Sequence, residues 1–183
     1  MKNSIIVVSF LLAFSFFVTG QNCKYKNNGI DKFTNQYVKL TKSEKVFGTF
    51  TTSGSFSAKK VDTSYFFIFD YSICSYSDFD PYSIQQGASL SFLLENGSII
   101  TLYTGDNIKG AKSILATKPP MYICELPNVS YPISKNEVDL FLRSKVKTIR
   151  FYRSESNGKE DYIDNELKKK NQDDIQNLIR CIL

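Results

Sequence analysis

This chain has no histidine and no tryptophan. The missing histidine is the sharper absence. It excludes Ser-His-Asp and Cys-His nucleophilic systems. It also excludes histidine-ligated zinc and imidazole acid–base chemistry. An enzyme built on this sequence would have to work with carboxylates, a Ser–Lys pair or a tyrosine. None of the four cysteines lies in a C-x-x-C, so neither a zinc ribbon nor a thioredoxin-type redox site is expected. Charge of one sign is scarce too: 23 basic against 18 acidic residues leave +5, which reads as mild and dispersed. The densest basic run, Lys168-Lys169-Lys170, is followed by Asp173 and Asp174 and suits a solvated helix. A nucleic-acid partner would ask for a basic face with interleaved aromatics, so none is expected. There is no internal repeat, heptad run or low-complexity tract.

Long hydrophobic runs are rare as well, and the one that exists opens the chain. Lys2 precedes an apolar stretch from Ile5 to Val18, broken by Ser9 and Ser15. Val18-Thr19-Gly20 then supplies small residues for cleavage before Gln21. This pattern predicts a secretory signal peptide over residues 1–20. The expectation is an exported protein, periplasmic or extracellular, with no membrane span after cleavage. Residues 21–183 make one domain, long enough to bury about 70% of the surface its unfolded chain exposes.

In an oxidising compartment, Cys23, Cys74, Cys124 and Cys181 read as two disulfides with three possible pairings. Cys23–Cys181 with Cys74–Cys124 is preferred. The first ties the ends of the domain together, and the second joins the ends of two apolar strands.

Aromatics are abundant, with 15 phenylalanines and 11 tyrosines. They favour strands. Asn27-Asn28-Gly29 reads as a turn, Gln36 to Thr41 as a strand and Val46 to Thr52 as another, ended by a Ser53-Gly54-Ser55 turn. Phe56 to Lys60 and Ser64 to Ile73 form a hairpin. Its second arm, apolar at nearly every position as far as Phe69, suits a strand covered on both faces. Ala88 to Leu94 and Ser98 to Thr104 flank Glu95-Asn96-Gly97, where Asn-Gly suits a type I′ turn. Met121 to Leu126 is a strand ended by Pro127. Ser134 opens a helix through a capping box with Glu137, and Val146 to Tyr152 returns to strand. From Tyr162 to Ile182 the apolar stripe predicts an amphipathic helix. The fold class is therefore α+β. It is mainly antiparallel β-sheet, as a sandwich or open barrel, with a short helix near 135–144 and a C-terminal helix near 162–182.

The loop Ser75 to Gly87 is the best place to seek function. Tyr76, Asp78, Asp80 and Tyr82 put two carboxylates among aromatics that suit stacking on a sugar or holding a peptide. Calcium needs about six oxygen ligands and is not expected from this spacing, so no metal is assigned. Nor is any cofactor or catalytic residue. Glu155, Glu160, Asp161 and Asp164 form an acidic turn best placed to favour the last helix through its dipole.

The start CKYKNNGIDKFT and the later ISKNEVDLFLRSKVKTIRFYRS resemble a group of small uncharacterised exported proteins of Gram-negative bacteria. The matching residues are Cys23, Tyr25, Asp31, Phe33 and Thr34, then Tyr131, Ile133 and Ser134, then Ile149, Arg150 and Phe151. The resemblance implies export and a compact β-rich domain; the group carries no assigned activity. The functional expectation is a non-enzymatic exported domain binding a glycan or an envelope protein through loops. The alternatives are a carboxylate-dependent glycan hydrolase, whose mark would be a pocket with two convergent carboxylates, and an inhibitor of secreted peptidases, marked by a protruding rigid loop.

Overall fold

The computed structural model describes residues 23–154, 158 and 160–183. The expected signal peptide, Glu155 and Asn157 lie outside them. Among the described residues the strands are, in chain order, β1 (Tyr25–Ile30), β2 (Tyr37–Thr41), β3 (Glu44–Gly48), β4 (Thr52–Val61), β5 (Ser64–Ser75), β6 (Ser83–Ile84), β7 (Ser89–Leu94), β8 (Ile99–Tyr103), β9 (Ile108–Lys109), β10 (Ala111–Leu115), β11 (Met121–Ile133), β12 (Val146–Ser154) and β13 (Glu160–Glu166). Helix α1 spans Lys135–Arg143 and helix α2 spans Asp174–Ile182.

Among the described residues the strand pairings are all antiparallel, and they form two sheets. The larger runs β1-β2-β4-β5-β11-β10, with β3 beside β4; the smaller runs β8-β7-β12-β6-β9, with β13 beside β12. The α+β class with two short helices is as the sequence predicts.

Alternation explains the packing. On β7, Leu90, Phe92 and Leu94 are buried while Ser89, Ser91 and Leu93 are half-buried. Phe56, Phe67 and Phe69 of the larger sheet meet Phe92 and Phe151 of the smaller, with ring centroids 5.1–6.0 Å apart. Phe141 of α1 closes this cluster, edge-on to Phe67 at 5.3 Å and to Phe92 at 5.0 Å. Each buried phenylalanine contributes about 1.5–3 kcal/mol through area alone. Helix α2 lays Ile175, Ile179 and Ile182 into the core.

Several local expectations need correction. Residues 53–55 lie inside β4, and the turn falls four residues earlier, over 49–51, where the Thr49 hydroxyl accepts from the Thr51 and Thr52 amides at 3.2 Å. Gly54 is in the strand for a steric reason: a Cβ there would sit 2.0 Å from Cζ of Phe47. Asn27-Asn28-Gly29 belongs to β1, and the chain turns over 31–36 instead. Strand β5 is central but buried on one face, with Phe66, Ile68, Asp70 and Ser72 half-exposed on the other. Strand β11 passes through Pro127 with a bulge between Leu126 and Val129; there Asn128 takes φ 57° and donates its amide to Asp70 at 2.8 Å. At Asn96-Gly97 only Gly97 has positive φ, so the turn is not type I′. The Gly97 amide donates to the Leu94 carbonyl and the Leu94 amide to Ser98, the pattern of a longer loop closed by a glycine bulge.

The expected helix from Tyr162 begins instead as strand, which runs as far as Glu166. Asp161, Ile163 and Asn165 alternate as half-buried residues along β13, which pairs with β12 from Thr148 to Ser154. A neighbouring strand edge decided this stretch over its helical stripe. Asp161 therefore does not sit at a helix start.

The cysteines divide. Cys23 and Cys181 are bonded, joining the start of the domain to α2. Cys74 and Cys124 are free thiols, which corrects the second expected pairing. Cys74 stands opposite Ile123, and Cys124 opposite Ile73. The two cysteines are one residue out of register and so point to opposite faces of the sheet.

Candidate functional site

The four selected residues of loop 76–82 have different surroundings. Tyr76 is exposed. Asp78 forms an ion pair with Lys112 of β10. Asp80 and Pro81 line a cleft of about 480 Å³ with Gln85, Asn107 and Lys109. Tyr82 is half-buried, with the Arg153 guanidinium 3.6 Å above its ring and Phe79 at 5.9 Å. The loop thus straps the larger sheet, at Lys112, to the smaller one, at Arg153.

Arg153 is only 8% exposed. Its Nη2 donates to Asp161 at 3.2 Å, while Nε and Nη1 make no hydrogen bond among the described residues. A buried guanidinium needs compensation. The Tyr82 ring face and the Asp161 carboxylate each supply part of it. Burial pushes the nearby Tyr71 phenol up to about 12, against the pull of Arg153. Burial likewise raises the Cys124 thiol.

A row of outward-facing tyrosines lies on the outer face of the smaller sheet. Ser89 is opposite Tyr103, Phe151 is opposite Leu90 so that Tyr152 comes level with Ser89, and Tyr152 is opposite Tyr162. One row across four strands therefore reads Tyr103, Ser89, Tyr152, Tyr162. Leu90, Leu102 and Phe151 point the other way, into the core. Tyr103 is 60% and Tyr162 53% exposed. With strands about 4.8 Å apart, Tyr103 and Tyr152 stand about 10 Å from each other with only a serine between them.

That gap is a groove of about 290 Å³, bounded also by Gln85, Gln86 and Glu160. Its end wall is a fixed turn. Gly87, at φ 85°, donates its amide to Thr104; Ala88 donates to Gln85; and the Gln86 amide donates to the Asn107 side chain. The far wall is braced too. Tyr162 packs at 5.9 Å from Tyr152 and carries the Arg150 guanidinium at 4.5 Å. Arg150 in turn holds Asp164 through two 2.6 Å hydrogen bonds, which keeps the Asp164 carboxyl below its ordinary range. Such bracing orders the aromatic wall before any ligand arrives.

Of the sequence-selected residues, none of Tyr76, Asp78, Asp80 or Tyr82 lines this groove. The missed residues are Tyr103, Tyr152 and Tyr162. Parity was the available signal: a tyrosine out of phase with Leu90, Leu102 and Phe151 must face outward.

A second concavity, of about 310 Å³, adjoins the disulfide. Glu44, Asp174, Lys24 and Lys42 line it. Burial, then the charges of Glu44 and Asp173, push Asp174 up to about 6. Among the described residues no group of three or more acidic or cysteine side chains is placed to hold a metal. No family model, no curated protein and no solved structure matches this chain.

Proposed function

We propose that this protein is an exported glycan-binding domain whose ligand lies across the Tyr103–Ser89–Tyr152 groove. The observation that carries this reading is the outward row of tyrosines with a small residue between them. A tyrosine ring offers a flat apolar face to the C–H side of a sugar, and its hydroxyl remains in contact with water. Gln85, Gln86, Ser89 and Glu160 provide the few polar groups that fix orientation in such a site. Among the described residues Glu160 is the one carboxylate lining the groove, whereas glycoside hydrolysis requires a pair. The groove therefore suits binding rather than cleavage. Export is the reading of the leader-like N-terminus, and the Cys23–Cys181 bond and the lack of a membrane-crossing helix among the described residues agree with it. The test is affinity electrophoresis through gels containing soluble neutral and uronate polysaccharides. At least one should retard the wild type, and Tyr103→Ala or Tyr152→Ala should weaken that binding about tenfold.

One observation favours the rival hydrolase reading: the disulfide groove holds two carboxylates, one of them raised. On that reading, Asp174→Asn abolishes a polysaccharide-cleaving activity of the wild type while leaving retention intact. On the binding reading neither protein cleaves anything.

A further inference from the structure

The turn between β1 and β2 presents the most exposed apolar side chain among the described residues. Phe33 is 99% and Ile30 65% exposed, and Tyr37, directly opposite Ile30, is exposed as well. The turn is rigid. Asp31 accepts from the Phe33 and Thr34 amides at 2.9 and 3.0 Å, and these bonds hold its carboxyl below the ordinary range. The Asp31 and Gln36 backbones bond at 2.8 Å, and Tyr37 exchanges bonds with Asp62 of the neighbouring turn at 3.0 Å. A phenylalanine held out on a fixed turn loses little entropy when something buries it.

The hairpin is basic overall, with Lys32, Lys39 and the neighbouring Lys60 toward its turn end against Asp31 and Asp62, and Lys24 and Lys42 at its far end beside the disulfide. Residues 24–42 carry five lysines against one aspartate, and from position 43 onward basic and acidic residues balance at 17 each. The charge that reads as dispersed along the sequence is thus concentrated in this hairpin. Lys39 also stands directly opposite Lys60 on β4, a like-charge pair that costs stability in an isolated sheet. An anionic partner removes that cost.

We propose that the β1–β2 hairpin is a membrane-surface finger, with Ile30, Phe33 and Tyr37 entering the headgroup boundary of an anionic bilayer and Lys32, Lys39 and Lys60 meeting its headgroups. Aromatic and aliphatic tips with lysines behind them are the chemistry of interfacial attachment: the rings settle at headgroup depth, and lysine stems lie along the apolar surface with their charges in water. Three projecting apolar side chains are too few for the core of a stable protein–protein interface, which needs about 800 Å² on each partner. A bilayer needs no complementary shape.

The lack of tryptophan makes the test clean, since Phe33→Trp introduces the sole indole. Protein recovered from an exporting host is mixed with vesicles of phosphatidylcholine alone or with an equal share of phosphatidylglycerol. Phe50→Trp is the control: Phe50 is 79% exposed in the β3–β4 turn, at the other end of β4, about 30 Å away. The expected result is a blue shift of the indole emission of the Phe33→Trp protein with anionic vesicles only, reversed by salt. The Phe50→Trp protein should show no shift. In the Phe33→Trp background, Lys32→Glu with Lys39→Glu should lower the partition coefficient at least about tenfold. An unshifted indole in the Phe33→Trp protein, equal shifts in the two variants, or partitioning indifferent to the lysines would overturn the proposal. So would inhibition of a secreted peptidase by a hairpin that leaves vesicles untouched.

Discussion

Loop 76–82 and the groove beside Tyr103 are made of the same materials, tyrosines with polar and acidic neighbours, and the fold uses them differently. In the loop, Asp78 is paired with Lys112 and Tyr82 lies under Arg153. Its chemistry is spent on joining two sheets. At the groove, Tyr103 keeps more than half its surface in water, as does Tyr162 behind Tyr152, and polar residues bound an open concavity. An aromatic-acidic run in sequence therefore says what a segment is able to do. Only its neighbours across the sheet decide whether any of that remains for a ligand.

The comparison can be broken by single substitutions. The largest effect on stability is expected at Tyr82. Tyr82→Ala removes the ring face from a nearly buried guanidinium, two of whose nitrogens have no hydrogen bond among the described residues. It should cost about 2–3 kcal/mol in denaturant unfolding. Glycan retention of the folded protein should not change. Tyr103→Ala should do the reverse, weakening retention about tenfold while leaving the unfolding midpoint in place. A Tyr82 variant that lost glycan but not stability would exchange the two roles. A smaller effect is expected at Asp78, where Asp78→Ala breaks an exposed ion pair and should cost at most about 0.5 kcal/mol.

A further effect is visible only as a pH dependence. The folded-state pKa of Asp174 is raised to about 6. The folded protein therefore binds that proton more tightly than the unfolded chain does. Its contribution favours folding most below the ordinary carboxylate range, and declines as pH rises from about 4 through 6. Asp164 and Asp31 are lowered and act with the opposite sign, losing their contribution as the pH falls through their range. Asp174→Asn should raise the melting temperature at neutral pH and leave it unchanged in acid, as followed by thermal unfolding across that range.

Legibility follows locality. The capping box at Ser134 is present as expected, with the Glu137 amide donating to the Ser134 hydroxyl and the Ser134 amide to the Glu137 carboxylate. The β4–β5 and β7–β8 hairpins are readable because each brings near neighbours together. The segment after Tyr162 misleads because its helical stripe competes with an edge that only β12 provides. The Cys74 pairing misleads because a one-residue difference in register reverses the face a side chain occupies. The groove is hardest to see. Its wall residues come from β8, β12 and β13, and only the register across β7 sets Tyr103 beside Tyr152.

The most direct test is the retention of wild type and Tyr103→Ala, side by side, in gels containing single soluble polysaccharides. The account predicts a polysaccharide that slows the wild type and releases the variant, both proteins having the same melting temperature. Equal mobility of the two in every gel would contradict it.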